Sequence, residues 1–118
     1  MSARGRFQTR LAFGGAGFAS DYTQTVDGET TLHCVSVFRF GADGSAEMIW
    51  IPPVGEPQHF RGASQQHKVR LERTDDQGMT HTMLADYSRE GELVQSMSVR
   101  GPDGVSFEVL SASYRREV

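Results

Sequence analysis

The sequence predicts an all-β fold: an antiparallel β-barrel of about eight to nine short strands, in a single domain spanning residues 1–118. Apolar residues recur at every second position, which is the period of a half-buried strand, and no window shows the 3.6-residue period of an amphipathic helix. Turn sequences containing glycine interrupt this alternation roughly every 8–12 residues, a spacing typical of antiparallel sandwiches and barrels.

Glycine-containing turns separate the strands predicted in the first half of the chain. Gly14 and Gly15 supply backbone angles that other residues resist. Asp27-Gly28, between two alternating segments, is among the strongest hairpin signals that a sequence offers. A further turn is indicated by "GADG" at residues 41–44. The strands bounded in this way are 6–13, 18–26, 30–40 and 45–51.

A proline-rich loop opens the second half. Residues 52–58 contain three of the four prolines, and proline cannot donate a hydrogen bond to a neighbouring strand. Short alternating segments follow, and an antiparallel meander of this kind covers its exposed edges best by closing on itself, so we favour a barrel over an open sandwich. The strands predicted here are 59–63, 67–74, 79–88, 93–100 and 105–116.

Composition and charge exclude several classes of partner. The net charge is −3 and the isoelectric point is about 5.7, whereas nucleic-acid binding rests mainly on basic residues that neutralise phosphates. No apolar run approaches the roughly 18 residues that a transmembrane helix needs. The N-terminus lacks the apolar middle of a signal peptide, and the single Cys34 fits a reducing compartment. We therefore expect a cytoplasmic protein with neither a nucleic-acid nor a membrane partner.

The motifs that announce a cofactor or a nucleophile are absent from the sequence. It contains no glycine-rich phosphate loop opening a helix, no nucleophile elbow and no Cys-x-x-Cys. The four histidines have none of the usual metal-binding spacings. We accordingly predict no cofactor and no metal, and the motifs leave open whether the protein is an enzyme.

Polar side chains in otherwise apolar rows are the most informative residues for function. His81 shares a predicted strand face with Met79 and Met83, and Gln95 lies in an apolar row of the next strand. Burying such a group without a partner costs about 1–3 kcal/mol, so one another, water or a ligand must satisfy it. If the hairpin is tight, Gln95 is the nearest polar partner of His81. The side chains that we predict to bind a ligand are His81, Gln95, His33, Tyr22, Trp50, Met83, Met97, Tyr87 and Phe107.

Several short motifs resemble a family of uncharacterised bacterial lipocalin-like proteins, a domain of unknown function. They are Gly14-Gly15, Tyr22, Trp50, the Gly55-x-Pro57 loop, Gly62, Leu71 to Arg73, Gly101-Pro102-Asp103-Gly104 and Tyr114-Arg115-Arg116. The resemblance implies a lipocalin-like, calycin-type barrel and no established activity, so it assigns no catalytic residue. The Gly-x-Trp-x-Gly pattern of the family's N-terminal strand is missing here. An edge left open in this way predicts a homodimer.

Three functions remain open from the sequence. The leading one is binding of a small apolar or amphipathic ligand inside the barrel, since ligand pockets combine apolar walls with a few convergent polar groups. The second is an isomerase or cyclase acting on a natural-product-type substrate in the same cavity, with His81 or Tyr22 as proton carrier. The third is a structural or interaction module whose core is filled.

Overall fold

The described part of the chain forms nine antiparallel strands, which confirms the predicted all-β class. The computed structural model describes residues 3–115, and at residues 3, 110 and 112 it describes the backbone alone. Arg116, the predicted end of the last strand, lies outside the described residues. The strands are β1 (Ala3–Ala12), β2 (Gly17–Val26), β3 (Glu29–Phe40), β4 (Ser45–Ile51), β5 (Gln58–Gln65), β6 (Lys68–Thr74), β7 (Thr80–Asp86), β8 (Glu92–Arg100) and β9 (Ser106–Arg115).

The strands follow one another as a meander in a single curled sheet, a half-barrel consistent with a lipocalin-like barrel. Each strand pairs with the next, so β1 and β9 lie at the two edges. Because every step reverses direction and the number of strands is odd, β1 and β9 run parallel. The ring centroids of Phe7 and Tyr114 lie 4.7 Å apart, so side chains bring the end of β9 against β1.

Tight turns set the register of the hairpins. Asp27 and Gly28 both have positive φ, 51° and 84°, which is the mirror-image turn that matches the twist of the flanking strands. Gln66 and His67 form a second turn of this kind, with φ of 52° and 66°. A single 3₁₀ turn at Phe13–Gly15 joins β1 to β2. No helix long and apolar enough to cross a membrane occurs among residues 3–115.

The packed core occupies one half of the concave face, over β4 to β7. Cross-strand pairing places Met48 opposite Phe60 and Leu71 opposite Met83, so their side chains meet on this face. At Gly62 a Cβ atom would overlap the backbone carbonyl of β6, so only glycine permits this close approach of β5 and β6. The buried cluster consists of Ala46, Met48, Phe60, Val69, Leu71 and Met83.

Candidate functional site

An open cavity of about 1230 Å³ occupies the other half of the concave face. Strands β1 to β3 form one wall, and the β7–β8 loop with the end of β9 forms the opposite wall. Met83 and Val69 of the packed core reach its floor. The packed core and the cavity therefore share one surface of the sheet.

Aromatic rings form the apolar walls of the cavity. Phe18 and Phe38 stack with ring centroids 4.6 Å apart, and Phe40 lies 5.8 Å from Phe18. On the opposite side, Phe7 contacts Tyr114 edge-to-face at 4.7 Å. Rings in these tilted and stacked arrangements hold one another in place. The cavity consequently has aromatic rings packed against one another at two of its borders.

Three hydroxyl groups cross the cavity wall in one line, which we call the hydroxyl row: Thr9, Ser20 and Ser36. Register places Thr9 opposite Ser20 and Ser20 opposite Ser36, on β1, β2 and β3. The hydroxyl oxygens of Thr9 and Ser20 are 2.8 Å apart and share a hydrogen bond, and Ser20 is only 5% exposed. The row places polar groups between the aromatic borders.

A pair of tyrosines connects β9 to β2 through a hydrogen bond between their hydroxyl groups. The Tyr114 hydroxyl donates to the Tyr22 hydroxyl at 3.5 Å, and Tyr22 donates to Oε1 of Gln24 at 3.2 Å. Burial, and then the hydrogen bond to Tyr22, raises the pKa of Tyr114 well above its usual range. Tyr114 is therefore a neutral hydrogen-bond donor at physiological pH.

Charged side chains stand at the mouth of the cavity, around the β7–β8 loop. Oε2 of Glu92 lies 4.0 Å from the guanidinium of Arg89, and its Oε1 lies 3.9 Å from Arg115. Both arginines are highly exposed, and pairs of this kind contribute little to stability in water. Their charge is available to solutes that approach the cavity.

Of the predicted binding residues, Gln95, Met83 and Tyr87 line the cavity. Tyr22 is hydrogen-bonded to Tyr114, which lines the cavity. Trp50 and Met97 pack against the buried core. Phe107, on the edge strand β9, is 56% exposed.

His33 lies on the convex face, away from the cavity. It is exposed, and its Nε2 contacts Oδ1 of Asp21 at 3.2 Å. Neighbouring residues of a strand point to opposite faces, and Cys34 takes the inward position opposite Tyr22. A row containing His33 together with Val35 and Val37 therefore faces outwards.

His81 has a different partner from the one predicted. Its Nε2 donates to Oδ2 of Asp75 at 2.9 Å, whereas register pairs His81 with Val99 and Gln95 with Ala85. The expectation that Gln95 is its nearest polar partner is therefore wrong, because the register of β7 and β8 separates the two side chains.

Asp75 organises the β6–β7 turn around this histidine. Its Oδ1 accepts the backbone N–H groups of Gln77 and Met79, at 2.9 and 3.0 Å. The hydrogen bond from His81, followed by the one from Met79, lowers the pKa of Asp75. This contact explains why an imidazole sits in an apolar row. A role for His81 in binding or proton transfer stays a prediction.

The sequence interpretation missed the hydroxyl row. A two-residue turn at Asp27-Gly28 with regular pairing would place Ser20 opposite Val35. The hydroxyl of Ser36, the next residue on β3, would then lie on the other face of the sheet from Ser20. The register shift at Gln24/Thr25 moves the pairing by one residue and sets Ser20 opposite Ser36. Alternation alone marks Ser20 and Ser36 as polar interruptions of apolar rows, but only the bulge aligns them.

Comparisons add no assignment to this geometry. Among the described residues, no group of three or more His, Cys, Asp or Glu side chains is placed to hold a metal ion. No family model, curated protein or solved structure matches the chain. The resemblance to lipocalin-like proteins thus stays a prediction, while fold and site together define an antiparallel half-barrel with an open, aromatic-walled cavity.

Proposed function

We propose that this protein binds one small, mainly apolar molecule in the cavity of the half-barrel. The observation that carries the proposal is the cavity itself: about 1230 Å³, bordered by aromatic rings and crossed by a few hydroxyl groups. Small-molecule sites in proteins have this composition, with apolar walls and a small number of placed polar groups.

The division of the concave face supports binding over a filled structural core. Tight packing is concentrated in β4 to β7, where Phe60, Leu71 and Met83 are fully buried. On the cavity side, Phe18 and Phe38 remain partly accessible. Covering such apolar surface is favourable by about 25 cal/mol per Å², so an apolar ligand gains free energy by occupying the cavity.

A blocking variant with a matched control tests the proposal. Thr9→Phe places a bulky ring in the cavity, whereas Gln8→Phe places the same ring on the convex face of the same strand. The neutral fluorescent probe N-phenyl-1-naphthylamine should bind the wild type and Gln8→Phe saturably, and should bind Thr9→Phe much more weakly. Native mass spectrometry of the purified protein provides a second readout, through any small molecule that copurifies.

Two results would overturn the proposal. One is a lack of saturable probe binding to the folded wild type. The other is equal binding to Thr9→Phe and Gln8→Phe, which would place the probe outside the cavity. Far-ultraviolet spectra of both variants establish that each is folded before binding is compared.

A further inference from the structure

The hydroxyl row indicates the chemical class of the ligand. We infer that the cavity takes a planar, uncharged molecule carrying two hydrogen-bonding oxygens separated by about one strand spacing. This inference rests on the proposed binding function and goes beyond it, because the apolar walls by themselves would accept any compact apolar compound.

The hydrogen-bonding capacity of the row is only partly used. Each hydroxyl has one donor and two acceptor sites, and the Thr9–Ser20 bond consumes one donor of the pair. The remaining hydrogen of the pair is free to turn towards the cavity. Among the side chains that the structure describes, none is hydrogen-bonded to Ser36, which also lines the cavity. The row therefore offers two hydrogen-bonding points, the Thr9–Ser20 pair and Ser36.

The register fixes the separation of these two points. Ser20 and Ser36 lie directly opposite each other on β2 and β3, and neighbouring strands are about 4.8 Å apart. A ligand that uses both points needs two oxygens at about that separation. Hydroxyl or carbonyl oxygens in a 1,3 arrangement on an aromatic ring meet this requirement, whereas oxygens on adjacent ring carbons are too close together.

The borders of the row favour a flat ring system. The strand positions on both sides of the hydroxyls carry apolar or aromatic side chains, and Phe7, Phe18 and Phe38 among them line the cavity. The Phe18 and Phe38 rings are stacked with an interplanar angle of 23°. Aromatic faces attract planar rings in offset or edge-to-face geometry. The residues that border the row through strand pairing are Leu11, Phe18 and Phe38 on one side and Phe7, Tyr22 and Cys34 on the other.

The same borders argue against a charged group beside the row. These borders contain no lysine or arginine, so a carboxylate held there would lose its hydration without gaining a cation. Three arginines of the described residues belong to the cavity lining. Arg89 and Arg115 stand at its mouth, and Arg6 alternates with Phe7 along β1, so its position is on the face opposite to the row. A neutral hydroxyl or carbonyl suffers no such penalty.

Three probes with the same ring system separate the apolar contribution to binding from that of the hydrogen bonds: naphthalene, 1,3-dihydroxynaphthalene and 2,3-dihydroxynaphthalene. Their dissociation constants are measured by calorimetry under reducing conditions. A hydrogen bond contributes roughly 2- to 12-fold in affinity. We expect the 1,3-isomer to form two hydrogen bonds, so its affinity for the wild type should exceed that of naphthalene by the product of two such factors. The 2,3-isomer reaches only one of the two hydrogen-bonding points at a time, so its affinity should exceed that of naphthalene by no more than the factor for a single hydrogen bond.

Removing the hydroxyls should abolish this preference and leave the apolar contribution. In the triple variant Thr9→Val, Ser20→Ala and Ser36→Ala, the 1,3-isomer should bind no better than naphthalene. Thr23→Val, on the convex face of β2, removes a hydroxyl from the opposite surface and should preserve the wild-type order. Ser36→Ala alone breaks no hydrogen bond between described side chains, so it serves as the test if the triple variant does not fold, and should by itself reduce the advantage of the 1,3-isomer.

The outcomes distinguish this inference from the proposed function. Equal binding of naphthalene and the 1,3-isomer to the wild type would overturn the ligand class and leave apolar binding intact. An advantage of the 1,3-isomer that survives removal of the hydroxyls would also overturn it. Binding of none of the three probes to the folded wild type would instead contradict the proposed function.

Discussion

Leu71→Ala should destabilise the protein more than Met83→Ala, although both residues are almost completely buried, with exposed fractions of 0% and 1%. The two residues face each other across β6 and β7. Leu71 lies inside the packed cluster, whereas Met83 also reaches the cavity. Truncating Leu71 leaves an enclosed void, while truncating Met83 enlarges a space that is already open to solvent.

The expected magnitudes follow from this difference. The carbons lost from Leu71 are worth about 2.4 kcal/mol at about 0.8 kcal/mol per methylene. A trapped void of roughly 60 Å³ adds about 1.4 kcal/mol at about 24 cal/mol per Å³, giving a total of about 4 kcal/mol. Met83→Ala loses a similar transfer free energy without the void, so it should cost about 2.4 kcal/mol.

Urea unfolding measures both costs through the linear dependence of the unfolding free energy on denaturant. With a slope of about 1.5 kcal/mol per molar, the two midpoints should differ by roughly 1 M. Equal losses, or a larger loss for Met83→Ala, would mean that Met83 borders packed protein. The open cavity, and with it the binding proposal, would then lose its structural basis.

Three further predictions concern the turns and the edge. Gly28→Val should lower the free energy of unfolding by about 1–3 kcal/mol, because valine resists the φ of 84° in the β2–β3 turn. The melting temperature should fall accordingly, and an unchanged value would contradict that turn geometry. Because the pKa of Asp75 is lowered in the folded protein, its carboxylate stabilises the fold at pH values above the ordinary carboxyl pKa. This stabilisation is lost as the pH falls through the pKa that Asp75 has in the folded state. Melting temperature should therefore fall less steeply with acidification in Asp75→Asn than in the charge-matched control Asp76→Asn, and identical slopes would refute the role given to the His81 contact. The sequence predicts a homodimer that covers an edge left open at the N-terminal strand, but exposed apolar side chains also lie at the other edge strand, β9, where Val105, Phe107 and Val109 are 62%, 56% and 60% exposed. If the dimer forms through β9, Phe107→Lys should yield monomer in sedimentation, whereas a single 13.0 kDa wild-type species would contradict the dimer.

Local turn chemistry made most of the strand order predictable. Asp27-Gly28 adopts the turn that its sequence indicates, and the predicted strand 45–51 coincides with Ser45–Ile51. The turn at Gln66 and His67 was less visible, because both residues adopt positive φ without being glycine. The sequence predicted a strand from His67, whereas β6 begins at Lys68. Strands can thus be inferred from glycine and alternation, while their ends depend on backbone angles that side chains only disfavour.

The candidate site was predictable only in part, because it depends on register between strands. Gln95, Met83 and Tyr87 were found from alternation alone and do line the cavity. The pairing of Ser20 with Ser36 depends on the bulge at Gln24/Thr25, which has no glycine to mark it. A period of two gives the face of each residue within its own strand. Its neighbours on other strands require the register, and a bulge of one residue changes that register.

The packed core and the hydroxyl row of the proposed binding site lie on different strands of one sheet, and this separation makes the proposals testable. The fully buried side chains Phe60, Leu71 and Met83 belong to β5, β6 and β7, while the hydroxyl row belongs to β1, β2 and β3. Thr9 and Ser36 are not fully buried, so replacing their hydroxyls removes little packing. Single substitutions at Thr9 and Ser36 should therefore act on the proposed ligand preference with little effect on folding, whereas substitutions in the core should act on folding first. Met83 belongs both to the packed core and to the cavity lining, and for this reason its truncation should lower stability moderately while enlarging the cavity.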